Sequence, residues 1–147
     1  MFKRILVATD GSPLAERAVS KAIDLATEHK AELTAFTVVR RQVKNHMDGA
    51  LGFEAAEIDR IEGQRAEQAR TMLDEVEKRA QACGVQASSE IVRSNRVAES
   101  IVAAAGKYGS DLIVMATHGR TGLTSAFLGS QTAQVLAHSE VPVLVLR

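Results

Sequence analysis

Five short apolar runs alternate with longer segments of helical spacing, and this alternation restricts the fold more than any other feature. The runs predict strands at residues 4–9, 32–39, 85–93, 112–116 and 141–146. The fourth run is apolar or small at every position, which is typical of a strand buried on both faces of a parallel sheet. Strands that alternate with helices indicate an α/β domain with right-handed crossovers, and we predict one such domain over residues 1–147.

The segments between the strands carry start and stop patterns of helices. Ser12 is a good N-cap, and Pro13 suits the first position of a helix that runs to about Lys30. Three further helices are predicted at residues 53–83, 97–107 and 131–138. Gly63 is expected to weaken or break the first of these three, and Gly84 is expected to end it.

Two of the predicted strands have the character of sheet edges. The strand at 85–93 mixes hydroxyl and charged residues with apolar ones. The last strand, at 141–146, is apolar and carries Pro142 near its start, which an edge strand tolerates. An uncovered edge invites pairing with another chain. We interpret the polar residues 40–52, which include two glycines, as a mobile crossover loop.

Composition excludes several classes of protein. Apolar residues make up 46% of the 147, which excludes a disordered chain, and only five residues are aromatic, so the core is expected to be aliphatic. Eighteen basic residues balance eighteen acidic ones, which predicts neither a nucleic-acid surface nor a polybasic membrane patch.

Cysteine usage and the amino-terminal residues bear on the compartment. The single cysteine, Cys83, excludes an internal disulfide and fits a reducing compartment; we interpret it as a small buried residue at a helix end. The apolar run at residues 5–8 is too short for a signal peptide or a membrane span. These features predict a soluble, cytoplasmic protein.

The stretch at residues 111–131 has the arrangement that binds phosphate. A buried strand is followed by a loop with Gly119, Gly122 and Gly129, and a helix begins directly after it. The same loop is rich in hydroxyl groups, which belong to Thr117, Thr121, Thr124, Ser125 and Ser130. Glycines let the backbone approach an anion, and the amide hydrogens and dipole of the helix favour its charge.

Ligands of open parallel sheets bind beyond the carboxyl ends of the strands, where the strand order reverses. Asp10 follows the first strand and could bind a ribose hydroxyl or a metal on a phosphate, or could only cap the turn into the first helix. His118 could contact a phosphate or donate a proton, although a loop histidine that faces water is the favoured interpretation.

Several catalytic and nucleotide motifs are absent from the sequence. There is no G-x-x-x-x-G-K-[ST], no G-x-G-x-x-G after the first strand and no G-x-S-x-G elbow. His29, His46 and His138 show no metal-ligand spacing, and no second carboxylate is evident beside Asp10. The residues of a strong catalytic centre are therefore missing, and we predict no catalytic or metal-ligating residue.

Residues 5–12, 111–122, 128–130 and 141–146, in this order and spacing, resemble the universal stress protein family over essentially the whole chain. The resemblance implies a three-layer α/β/α domain of Rossmann-like type, similar to the adenine nucleotide alpha hydrolases, with a five-stranded parallel sheet. It also implies a homodimer in which the last strands, at 141–146, pair with each other.

Many members of that family bind ATP through a motif of the form G-x-x-G-x9-G-[ST]. On this chain the second glycine is Gly119, and the last positions are Gly129 and Ser130. Ala116 stands where the first glycine is expected. Its methyl group is expected to be tolerated if the local φ is negative and to obstruct binding if φ is positive.

The same resemblance implies roles for individual residues. Asp10 would bind ribose, Ala8, Thr9 and Val38 would lie along adenine or the sugar, and Met115 would line the base pocket. Backbone amides and hydroxyls that hold the phosphates would come from Gly119, Gly129, Ser130, Gln131 and Thr132.

Three functions remain open at this point. The first, which the resemblance favours, is a dimeric, ATP-binding, nucleotide-responsive stress-regulatory module, more a nucleotide-binding protein than an efficient enzyme. Magnesium is an optional companion of the nucleotide, and ADP or AMP are alternatives to ATP. The second is a dimeric interaction module with a vestigial loop, which Ala116 supports. The third is a slow ATP hydrolase that uses Asp10 and His118.

Overall fold

The computed structural model describes residues 1–41, 51–119 and 128–147. Most of the predicted crossover loop at 40–52 lies outside these residues. The same holds for four members of the predicted phosphate loop, namely Thr121, Gly122, Thr124 and Ser125. Within the described part of the chain, no helix combines the length and the apolar character needed to cross a membrane.

Five strands and four helices alternate along the chain. In order they are β1 (Arg4–Ala8), α1 (Pro13–His29), β2 (Glu32–Val39), α2 (Leu51–Ala82), β3 (Ala87–Arg93), α3 (Val97–Lys107), β4 (Leu112–Ala116), α4 (Ser130–His138) and β5 (Val143–Leu146). The strands form one parallel sheet in the order β3-β2-β1-β4-β5. The order reverses between β1 and β4, which places the predicted site loops at the switch point of the sheet.

Helices cover both faces of the sheet, because alternate residues of each strand point to opposite sides. One face packs against α1 and α2, through a cluster that includes Ile5, Val7, Val19, Leu73, Val76 and Val114. The other packs against α3 and α4, through a cluster that includes Leu6, Phe36, Ile101, Ile113, Met115 and Val135. The predicted three-layer α/β/α architecture is confirmed.

The predicted bounds of β2, α3 and β4 agree with the structure residue for residue. Strands β3 and β5 form the two edges of the sheet, as predicted, although they begin later than predicted, at Ala87 and Val143. The side chain of Ser12 caps α1 by accepting a hydrogen bond from Ala15 N at 3.2 Å. These elements were predictable because their patterns are local.

The prediction that Gly63 breaks the long helix is wrong. Helix α2 runs from Leu51 to Ala82 without interruption, and Gly84, with φ +78, follows its end as expected. A glycine inside a helix costs only about 1 kcal/mol relative to alanine. Burial of Leu73 and Val76, which are 0% and 1% exposed, outweighs that cost.

The prediction that Cys83 is buried is also wrong. Cys83 is exposed and lies one residue beyond the end of α2. The chain turns toward the sheet here, and Val85 takes the buried position instead, at 5% exposure. The turn leaves the thiol on the solvent side.

Substitution of Leu73 by alanine is expected to destabilise the protein by about 2–5 kcal/mol, because its side chain is fully buried between α2 and the sheet. Glu75→Ala on the exposed side of the same helix is the control, with an expected change within about 0.5 kcal/mol. Urea unfolding measures both. Equal midpoints for the two variants would contradict the packing described here.

Candidate functional site

The loops after β1 and β4 leave the sheet side by side. These strands are neighbours, with Val7 opposite Val114. Beyond the end of β1, Thr9 N donates to Phe36 O at 2.9 Å, which keeps the chain extended up to Asp10. The carboxyl edge therefore brings the two predicted loops together at the switch point.

The backbone of Gly119 lies directly against the carboxylate of Asp10. A Cβ atom at Gly119 would overlap Asp10 Oδ2 and would lie 3.4 Å from Asp10 Cγ. The other carboxylate oxygen, Oδ1, accepts a hydrogen bond from Ser12 N at 2.9 Å. Asp10 thus caps the turn into α1, and its carboxylate also faces the backbone of Gly119, so the capping role does not exclude a role in binding.

The second glycine, Gly129, returns the loop to the end of β4. Its N–H donates to Thr117 O at 2.7 Å. A Cβ atom here would lie 2.8 Å from Thr117 O, which is closer than real Cβ atoms approach, and 3.3 Å from His118 Cα, which is a tight contact. Only glycine fits this position without a shift of the backbone.

Helix α4 begins directly after Gly129, with its first turn at the carboxyl edge of the sheet. Gly129 is the N-cap and provides no side-chain hydrogen bond. The N–H groups of Ser130, Gln131 and Thr132 belong to the first turn, which has no intrahelical acceptors for them. Together with the helix dipole, these groups can receive an anion.

The hydroxyl of Thr132 has a structural role that the sequence did not reveal. Thr132 is 2% exposed, and its Oγ1 lies 3.0 Å from both Ala116 O and Thr117 O, to which it donates. The hydroxyl thus ties α4 to the end of β4. Both the hydroxyl and the backbone amide of Thr132 were expected to hold phosphate. The hydroxyl is bound to the two carbonyl groups, and the backbone amide is not.

An apolar wall flanks the edge on the side of α3 and α4. Ala8 and Val38 are partly buried there and pack against the cluster that contains Met115. Met115 itself is 6% exposed, so it supports the wall from beneath. Thr9 is buried as well, and its Oγ1 accepts a hydrogen bond from Gly11 N at 3.2 Å. Ala8, Val38 and Met115, three of the residues expected around the base and sugar, therefore lie on one face of the sheet.

Ala116 meets the condition for tolerance. Among the residues that the structure describes, Lys30 is the one non-glycine residue with positive φ. Ala116 is the last residue of β4 and is 8% exposed. Its backbone therefore does not require the glycine that stands at this place in the ATP-binding motif.

His118 lies after β4, directly before Gly119, and is partly exposed. Its Nδ1 is 3.2 Å from Thr117 Oγ1. Within the described ranges, no group of three or more His, Cys, Asp or Glu side chains is placed to hold a metal ion. The arrangement fits binding of an anion.

A contact across the site was missed by the sequence analysis. The side chain of Gln131 accepts a hydrogen bond from Ala98 N, at the start of α3, at 3.0 Å. The N-cap of α3 is Arg96, which makes no side-chain capping bond. The N-cap residue normally provides a hydrogen-bond acceptor, which an arginine side chain cannot do. Arg96 at this position was the one indication in the sequence that a distant residue could provide the acceptor.

The five-stranded parallel sheet, with helices on both faces and Asp10 and Gly119 at its switch point, defines a small doubly wound α/β protein. Residues 1–147 match the Universal stress protein family. Universal stress protein MJ0531 of Methanocaldococcus jannaschii is 35% identical over 148 residues, which cover 100% of this chain and 83% of the relative. The chain belongs to the universal stress protein family.

Solved structures agree with that membership. The structure of MJ0577, a protein of Methanocaldococcus jannaschii, is 28% identical with a TM-score of 0.81 and covers 99% of this chain and 96% of the other. A universal stress protein in complex with cAMP is 27% identical with a TM-score of 0.72, covering 99% and 97% of the two chains. The same fold therefore extends over the whole length of these proteins.

Gly129→Ala is expected to destabilise the protein by about 1–3 kcal/mol, because the new methyl group meets the backbone at Thr117 O. Gly63→Ala is the matched control: nothing lies within 4 Å of a Cβ atom there, and the change should stabilise α2 by roughly 0.5–1 kcal/mol. Urea unfolding distinguishes the two. A Gly129→Ala protein as stable as the wild type would show that the loop does not approach β4 this closely.

Proposed function

We propose that this protein binds an adenine nucleotide, with ATP as the leading ligand, and acts in the cytoplasm as a nucleotide-responsive stress-regulatory module. The observation that carries the proposal is the placement of the Asp10 carboxylate against the backbone of Gly119, at the edge where the first turn of α4 begins. A group that accepts hydrogen bonds and a group that attracts anions thus flank the same loop.

The charges of the site favour one orientation of the ligand. The Asp10 carboxylate repels phosphate and accepts hydrogen bonds from hydroxyl groups, so it suits ribose. The amide groups of Ser130, Gln131 and Thr132 at the positive end of α4 suit the phosphates. The base then lies along Ala8 and Val38, which are partly buried on the face of α3 and α4.

Similarity to a universal stress protein in complex with cAMP supports an adenine nucleotide as the ligand class. ADP and AMP share the base, ribose and α-phosphate, so they are alternatives to ATP. Magnesium is an optional companion, because it is commonly bound through few carboxylates together with phosphate oxygens. The proposed function is binding with a regulatory outcome; a vestigial loop and slow hydrolysis remain the competing hypotheses.

Isothermal titration of the nucleotide-free protein with ATP and Mg²⁺ tests the proposal. We expect binding by the wild type and a loss of roughly 10- to 100-fold in Asp10→Ala, the range of hydrogen bonds to a charged group. Asp24→Ala, which removes an exposed carboxylate from α1, is the matched control and should bind like the wild type. No binding of ATP by the wild type at millimolar concentration would refute the proposal.

We also propose a homodimer in which β5 pairs with β5 of a second copy. Strand β5 is a sheet edge, and its four residues are partly exposed. Pro142 O accepts from Ile113 N at 3.0 Å and Leu146 O accepts from Thr117 N at 2.9 Å, so these alternate residues face β4. By alternation, the polar backbone groups of Val143 and Val145 point to the open edge, where a second strand can bind them.

Val145→Pro is expected to convert the dimer to a monomer, because it removes an N–H that points away from β4 and leaves the bonds to β4 in place. Val145→Ala keeps the N–H and should remain dimeric, which controls for loss of the side chain. Light scattering after size-exclusion chromatography gives the mass of each variant. A monomeric wild type would exclude this dimer, and a dimeric, folded Val145→Pro protein would place the interface elsewhere.

A further inference from the structure

Helix α3 is capped by a residue from another helix. Its N-cap, Arg96, has φ −104 and ψ 76 and makes no side-chain capping bond. Gln131, which is the second residue of α4, provides the missing acceptor: Ala98 N donates to its Oε1 at 3.0 Å in a part-buried place. The first turns of α3 and α4 are therefore joined by one carboxamide group.

This hydrogen bond fixes which way the carboxamide of Gln131 faces. A backbone N–H can only donate, so the atom opposite Ala98 N must be the oxygen and not the nitrogen. The Nε2 group, with both of its donor hydrogens, is then directed away from Ala98. The side chain can serve α3 as an acceptor without placing a negative charge at the start of α4.

The first turn of α4 is held at two points. Thr132 Oγ1 donates to Ala116 O and Thr117 O at the end of β4, and Gln131 Oε1 binds Ala98 N on α3. Farther along, Val135 of α4 packs in the same buried cluster as Ala98 and Ile101 of α3. Of these contacts, the hydrogen bond of Gln131 is the one that joins α3 to the first turn of α4, which is the turn proposed to bind phosphates.

We propose that Gln131 is a positioning residue for phosphate binding. By capping α3, its side chain holds the first turn of α4 in the place where its amide groups meet the phosphates of the ligand. This inference rests on the proposed function and adds a coupling to it: the start of α3 and the phosphate end of the ligand share one side chain. The base and ribose end, at Val38 and Asp10, does not depend on it.

Two substitutions of Gln131 distinguish the effect of losing the acceptor for Ala98 N from the effect of adding a negative charge. Gln131→Leu removes the acceptor, so the Ala98 amide should exchange its hydrogen faster in the ligand-free protein. The affinity for ATP should fall about 3- to 10-fold, the range expected for a lost cap, while the affinity for adenosine stays unchanged. Gln131→Glu keeps an acceptor, so Ala98 should stay protected, but the added negative charge should lower the affinity for ATP and leave that for adenosine unaltered.

Gln134→Leu, an exposed position one turn along α4, is the matched control and should match the wild type in all three measurements. Equal ATP affinity in wild type and Gln131→Leu would overturn the inference and leave the proposed function intact. A parallel fall in adenosine affinity would also overturn it, because the substitution would then act on the whole domain. A wild type that binds neither ligand would instead remove the proposed function and the phosphate role of Gln131 together.

Discussion

The site depends on one close approach, that of the Gly119 backbone to the Asp10 carboxylate. The loop after β4 can reach the end of β1 only because Gly119 has no side chain; a Cβ atom would overlap Asp10 Oδ2. Asp10 cannot move aside without cost, since its Oδ1 accepts the hydrogen bond of Ser12 N at the start of α1. The start of one helix and the glycine loop before another are thus joined through a single carboxylate.

The sheet makes this approach possible, because β1 and β4 are parallel neighbours that end at the same edge. The loop is then returned to that edge by Gly129, whose N–H donates to Thr117 O, and by Thr132, whose hydroxyl donates to two carbonyl groups of the same strand end. Each of these bonds uses a carbonyl group at the end of β4 or in the residue directly after it. The hydrogen bonds that satisfy these carbonyl groups therefore also hold α4 in place.

Much of this could be predicted from the sequence, because the relevant patterns are local. The apolar run at β4, the N-cap Ser12 and the two glycines each act within a few residues, and they define the strand, the helix start and the close approaches. Gly63 and Cys83 were misjudged because burial by distant residues decided their environment. The bond between Gln131 and Ala98 spans 33 residues, and no local pattern specifies such a pair beyond the absence of a cap at Arg96.

The polar groups of the site are held in place by hydrogen bonds within the protein itself. Asp10 is oriented by Ser12 N, and the first turn of α4 is oriented by Thr132 and Gln131. A ligand that meets pre-oriented groups loses less affinity to ordering of the protein. The carboxylate at one end and the helix dipole at the other also have opposite electrostatic preferences, so a ligand with hydroxyl groups at one end and phosphates at the other is favoured in one orientation over its reverse. The preference for one orientation of the ligand then follows from two features, the first turn of α4 at the phosphate end and the Asp10 carboxylate at the hydroxyl end.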